Sequence, residues 1–140
     1  MTIRIKPTKR LRIILDANAL FVPLQFKIDL LEELKKLLNR HFELILLSPT
    51  RQELERIAIQ GSSEMRKQAE YALKLAEKCT FLEVQQEKDT PADDLIIQVA
   101  SKHEYAVFTN DRQLRHRLRD INVPVIYVRQ KSRLEIDGRL

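Results

Sequence analysis

The chain has 140 residues, and its 25 lysines and arginines outnumber its 20 aspartates and glutamates for a net charge of +5. That length makes one domain with its own core, and no apolar run nears the roughly 20 residues of a membrane span. A lone cysteine, Cys79, excludes an internal disulfide and suits a reducing cytoplasm, and two glycines are too few for a glycine-rich phosphate loop.

Residues 1–10 read as a basic arm carrying Arg4, Lys6, Lys9 and Arg10, without the apolar stretch of a secretion signal. Residues 12–15 form a continuous buried strand, followed by the turn-like Asp16-Ala-Asn18. Residues 26–39 are a helix whose leucine stripe is core. Residues 42–47 are a second strand, stopped by Ser48-Pro49, and helices over 51–60 and 63–78 break at Gly61-Ser62. A strand over 81–84 and a polar loop over 85–90 lead to a helix over 91–103. A strand over 105–108, a helix over 111–119 and a strand over 123–128 complete the domain, spanning 11–128. Residues 129–140 are a basic tail. Strands alternating with helices imply an α/β fold with a parallel sheet covered on both faces.

Carboxylates stand at or just beyond the carboxyl ends of four strands: Asp16, Glu53, Asp93 with Asp94, and Asp111. In such folds ligands bind at that edge. Gathered carboxylates repel each other unless a cation sits among them, and all-oxygen donors point to Mg²⁺ or Mn²⁺. The histidines, His41, His103 and His116, lack the spacing of a zinc site. Arg112, Arg115 and Arg119 share one helix face beginning at Asp111, placed to meet phosphates, with Arg129, Lys131 and Arg133 beyond the last strand.

Each acid also has a structural reading. Thr50-Arg-Gln-Glu53 matches a capping box, Thr90-Pro-Ala-Asp93 resembles another, and Asp111 opens a helix where the dipole favours negative charge. Asp16 is the hardest to explain by capping alone. Asn18 holds the loop or a ligand water by its amide, or makes an Asx-turn, and Thr109 and Asn110 position Asp111 or a phosphate oxygen, or cap the helix.

Taken together, Leu15-Asp-Ala-Asn18, Thr50-Arg-Gln-Glu53, the stretch from Ala92-Asp-Asp to Ala100, and Phe108-Thr-Asn-Asp111 resemble the motifs of PIN-domain ribonucleases. The resemblance covers residues 11–128. It implies a three-layer α/β/α sandwich, Rossmann-like, with a central parallel sheet. It implies Asp16, Glu53, Asp93 and Asp111 as the catalytic quartet, holding one or two Mg²⁺ or Mn²⁺ ions, with Asp94 as an extra carboxylate and outer metal ligand. Polar Arg51 and Gln52 depart from the small or apolar residues usual around the second acid. The chain is similar both to small PIN proteins of pre-ribosomal RNA processing and to VapC toxins. The partners so implied are RNA, a second copy in a homodimer, and an antitoxin or a ribosome-assembly factor.

The expected activity is metal-dependent hydrolysis of RNA phosphodiesters, with basic side chains holding flanking phosphates. A non-catalytic RNA-binding scaffold is the first alternative. A phospho-acceptor receiver domain is the second. It requires a lysine after the last strand, where Arg129 stands, and paired acids after the first, where the chain has Asp16-Ala-Asn18.

Overall fold

Ile13, Ile14 and Leu15 are wholly buried although they point alternately to opposite sides, so the strand they form is covered on both faces. The computed structural model describes residues 10–87, 89–102 and 104–140. The first nine residues of the expected basic arm, and His103, lie outside them. The elements run β1 Leu11–Leu15, α1 Ala17–Phe26, α2 Leu30–Leu38, β2 Phe42–Leu47, α3 Ser48–Gln60, α4 Ser63–Ala76 and β3 Thr80–Leu82. Then come α5 Ala92–Lys102, β4 Tyr105–Phe108, α6 Arg112–Asp120, β5 Val125–Arg129 and β6 Arg133–Asp137.

The six strands form one sheet in the order β3-β2-β1-β4-β5-β6. The first five strands are parallel to their neighbours; β6 is antiparallel to β5. Ile13 and Leu15 pack with side chains of α1 to α4, while Ile14 packs with Ile96 of α5 and Leu114 and Leu118 of α6. That is the three-layer α/β/α arrangement. Strand order reverses between β1 and β4, so the crevice beyond their carboxyl ends is the natural place for a site. Among the described residues no helix is long and apolar enough to cross a membrane.

Three local readings of the sequence change. The expected helix over 26–39 is only α2: Phe26 ends α1, Lys27 adopts the left-handed conformation (φ 53°), and Asp29 caps α2 by accepting from the Glu32 amide. The turn-like Asp16-Ala-Asn18 instead opens α1, a helix apolar on nearly every side and holding Pro23, so it lacks the amphipathic period that announces a helix. The expected tail over 129–140 contains β6, whose Leu134 is buried in the core. The turn before it places Gln130 and Lys131 at positive φ (53° and 60°).

A further difference concerns Glu53. Helix α3 starts at Ser48, its cap position is Leu47, and no side chain caps it. Thr50 therefore lies inside the helix and is buried, so the capping box does not form. Glu53 is left without that structural duty.

Candidate active site

The end of β1 is tied to the end of β4. The Asp16 amide donates to the Phe108 carbonyl at 3.0 Å, continuing the ladder one residue past the strand. The Asp16 side chain, 8% exposed, accepts from the Ala17 amide on Oδ1 (2.8 Å) and from the Thr109 hydroxyl on Oδ2 (2.7 Å). The Thr109 hydroxyl accepts in turn from the Asp111 amide at 3.1 Å. Asn18 Oδ1 accepts from the Asn110 amide (3.1 Å), and Asn110 Oδ1 accepts from the Val128 amide (3.0 Å). Asn18, Thr109 and Asn110 thus fasten the ends of β1, β4 and β5 to each other, and fix where Asp16 and Asp111 stand.

Asp111 caps α6, with Oδ1 accepting from the Gln113 and Leu114 amides at 2.9 and 3.2 Å. Its capping reading therefore holds, and both bonds fall on one oxygen. Asp93 lies in the first turn of α5, half-buried. The first intrahelical bonds there, from the Asp94 and Leu95 amides, go to the Pro91 carbonyl.

The electrostatics link the quartet. Burial pushes the Asp16 carboxyl up to about 6, the Thr109 and Ala17 bonds oppose this, and the charges of Asp93 and Glu53 push it higher. Asp93 is also raised, first by burial and then by Asp111, with Arg117 pulling the other way. Asp16 therefore feels Asp93 and Glu53, and Asp93 feels Asp111. Four carboxylates on separate elements share one field, a pattern of mutual repulsion that a hard cation relieves. Their donor chemistry fits a divalent ion bound through oxygen. As the side chains stand, no three His, Cys, Asp or Glu residues among the described ones converge to ligand distance. The acids share a field without yet sharing a coordination sphere.

Asp94 has another partner. It accepts from Arg117 Nη2 at 2.7 Å, an ion pair joining α5 to α6. Nothing in the sequence pairs those two residues, because the contact exists only once the helices pack on the sheet. Arg115 and Arg119 are also engaged, both donating to Asp137 of β6 at 3.0 and 3.1 Å. The Arg115 guanidinium lies 3.7 Å from the Tyr127 ring centroid. Arg129 and Arg133 both face Glu135, at 2.9 and 3.6 Å. Arg112 and Lys131 are exposed. The basic residues expected to line up for phosphate thus divide into a braced set on β6 and a solvent-facing pair.

A family model described as a PIN like domain matches residues 13–131. Ribonuclease VapC4 of Methanocaldococcus jannaschii is 33% identical over 129 residues, covering 91% of this chain and 97% of that protein. Ribonuclease VapC9 of Archaeoglobus fulgidus is 24% identical over 124 residues, covering 89% and 87%. The solved structure of the PIN domain endonuclease Utp24 aligns with a TM-score of 0.75 at 30% identity, over 92% of each chain. The chain belongs to the PIN-like domain family.

Proposed function

We propose that the chain is a ribonuclease that hydrolyses RNA phosphodiesters with Mg²⁺ or Mn²⁺ held by Asp16, Glu53, Asp93 and Asp111. The observation that carries this reading is the common field of the four carboxylates: burial raises Asp16 and the charges of Asp93 and Glu53 raise it further, while burial raises Asp93 and Asp111 raises it further. The relatives named ribonuclease and the similar structure titled endonuclease support the reaction class. A bound divalent ion would neutralise charge at the scissile phosphate and acidify an attacking water.

The chain's own residues do the rest. Thr109 and the Ala17 amide hold the Asp16 carboxylate in one orientation, so both its oxygens are fixed before any ligand arrives. Asp111 is held by two amides of its own helix. Exposed Arg112 and Lys131 hold flanking phosphates by charge, which makes binding salt-sensitive. Asp94 anchors Arg117, and Arg117 limits the excess negative charge around Asp93.

The test is cleavage of a single-stranded RNA with Mn²⁺ or Mg²⁺, repeated in EDTA and with Asp16→Asn. Loss in both controls is the expected result, and cleavage that survives both overturns the reading. A host cell expressing the chain separates its settings: growth arrest with cut RNA supports a VapC-type toxin with an antitoxin partner, whereas altered ribosomal RNA precursors without arrest support a processing role.

A further inference from the structure

At the other end of the sheet, beyond the amino ends of β1 and β4, the chain forms an open groove of about 910 Å³. Four arginines line it, Arg10, Arg12, Arg40 and Arg139, against a single acid, Glu104. Arg12 stands on β1 with its guanidinium 4.6 Å from the ring centroid of buried Tyr105, so it is held rather than loose. The sequence sets Arg4, Lys6 and Lys9 immediately before Arg10. The four groove arginines lie away from the acidic centre, which sits past the opposite strand ends. The five residues of β1 alone separate the two ends by about 17 Å.

Cations also gather at strand amino ends for a plainer reason, to offset the carboxyl ends of helices. Here α5 and α6 end beside the groove, since Ala100, Ser101, Ile121 and Asn122 line it too. Each helix end is worth about half a negative charge, so together they offset about one arginine. The last carbonyls of α6 are already bonded, Leu118 by the Ile121 and Val123 amides and Arg119 by the Ile121 and Asn122 amides. With Glu104 counted as well, the four arginines still leave the concavity net positive. Like charges held together in this way form a receptor for an anion of repeating charge.

We propose that this groove is a second RNA-binding site, which grips the phosphate backbone of single-stranded RNA at a distance from the cleaved bond. The proposal rests on the ribonuclease reading. A substrate long enough to reach both ends of the sheet is held twice, and a short one only beside the acids, by Arg112 and Lys131. Guanidinium contacts to phosphate position the strand and carry no sequence preference.

The experiment measures fluorescence anisotropy of labelled RNAs of about 5 and about 20 nucleotides in EDTA, against a salt series, for the wild type and Arg10→Glu/Arg139→Glu. Both substituted residues are exposed, and circular dichroism checks the fold. The longer RNA is expected to bind the variant at least about tenfold more weakly, with its salt slope reduced by about 1.4, and the shorter RNA to bind unchanged. Equal losses for both lengths, or none for either, overturn the second site. So does a variant that loses only an acidic peptide such as polyglutamate, which would make the groove a protein-docking surface. If Arg10→Glu/Arg139→Glu unfolds, Arg10→Gln/Arg139→Gln is read in the same way, with the same change in slope of about 1.4. Because binding is read in EDTA, this outcome is separate from the ribonuclease reading, which also fails if the wild type cleaves neither RNA when Mn²⁺ is added.

Discussion

The Thr109 hydroxyl donates to Asp16 Oδ2 at 2.7 Å and accepts from the Asp111 amide at 3.1 Å, so one buried side chain sets the positions of two acids. Thr109→Val removes both bonds and leaves a buried carboxylate oxygen without a donor. We expect a loss of about 1–3 kcal/mol in urea unfolding, the penalty for an unsatisfied buried polar group. Because that bond lowers the Asp16 pKa, the acid limb of the pH–rate profile is expected to move to higher pH. An unmoved limb would show that Thr109 serves stability only.

Asp16 itself is expected to destabilise the metal-free protein at neutral pH. Its carboxyl is raised from 3.8 to about 6 by folding, so the folded state holds the proton more tightly than the unfolded one. The penalty is absent below pH 3.8, grows as pH rises through about 6, and levels off at about 2–3 kcal/mol. Asp16→Asn removes the charge, and the Thr109 hydroxyl can rotate to suit the amide. In EDTA the variant is expected to be more stable than the wild type at pH 7 and nearly equal to it at pH 4. A difference that does not change with pH would contradict this.

The two adjacent aspartates of α5 are expected to behave differently. Asp93→Asn removes a member of the linked quartet and is expected to lower cleavage more than about a hundredfold, several kcal/mol of transition-state stabilisation. Asp94→Asn breaks the ion pair with Arg117, half-exposed and therefore worth at most about 1 kcal/mol. It is expected to retain the wild-type Mn²⁺ dependence. A rise in the Mn²⁺ concentration needed for half-maximal rate would make Asp94 a ligand after all.

Arg112 and Arg119 share a helix but not a task. Arg112→Ala is expected to leave stability within about 0.5 kcal/mol, and to reduce the salt slope of RNA binding by about 0.7. Arg119 holds Asp137 and the Val123 carbonyl. Arg119→Ala is expected to cost about 1–2 kcal/mol in thermal or urea unfolding while turnover per folded molecule stays the same.

Gly138 belongs to the same brace. It has φ +105°, and a Cβ there would fall 2.4 Å from Arg119 Nη1, with the Pro124 Cα on the other side at 3.2 Å. Gly138→Ala is expected to destabilise by about 1–3 kcal/mol, combining backbone strain with displacement of a guanidinium already bonded to Asp137. Comparing urea midpoints of Gly138→Ala, with and without Arg119→Ala, would show whether the clash or the backbone dominates.

The sheet's first five strands could be read from the sequence because each is a short apolar run bounded by a turn or helix signal. Leu44–Leu47 and Ala106–Phe108 are covered on both faces, and continuous hydrophobicity records that directly. Helix α1 was hidden for the same reason. Its buried residues, Ala17, Ala19, Leu20, Phe21 and Val22, lie on adjoining sides and give no period. Strand β6 was hidden because it alternates Arg133, Glu135 and Asp137 with only Leu134 and Ile136 as apolar members, and so looked like a charged tail. For the acids, position in the chain was enough to bring Asp16, Glu53, Asp93 and Asp111 to one edge. The partners of Asp94, Arg115 and Arg119 were not legible, since each ion pair spans elements 18 to 23 residues apart that meet only after packing.

The charged rhythm of β6 has a consequence for how molecules meet one another. A sheet ends in unpaired amides and carbonyls that invite a further strand, and open edges are where chains stack into aggregates. This chain finishes one margin with β3, only three residues long, and the other with β6, where Arg133, Glu135 and Asp137 alternate with Leu134 and Ile136. Brevity guards the first margin and charge the second. A second copy approaching edge-on would have to lay its strand beside those charged side chains.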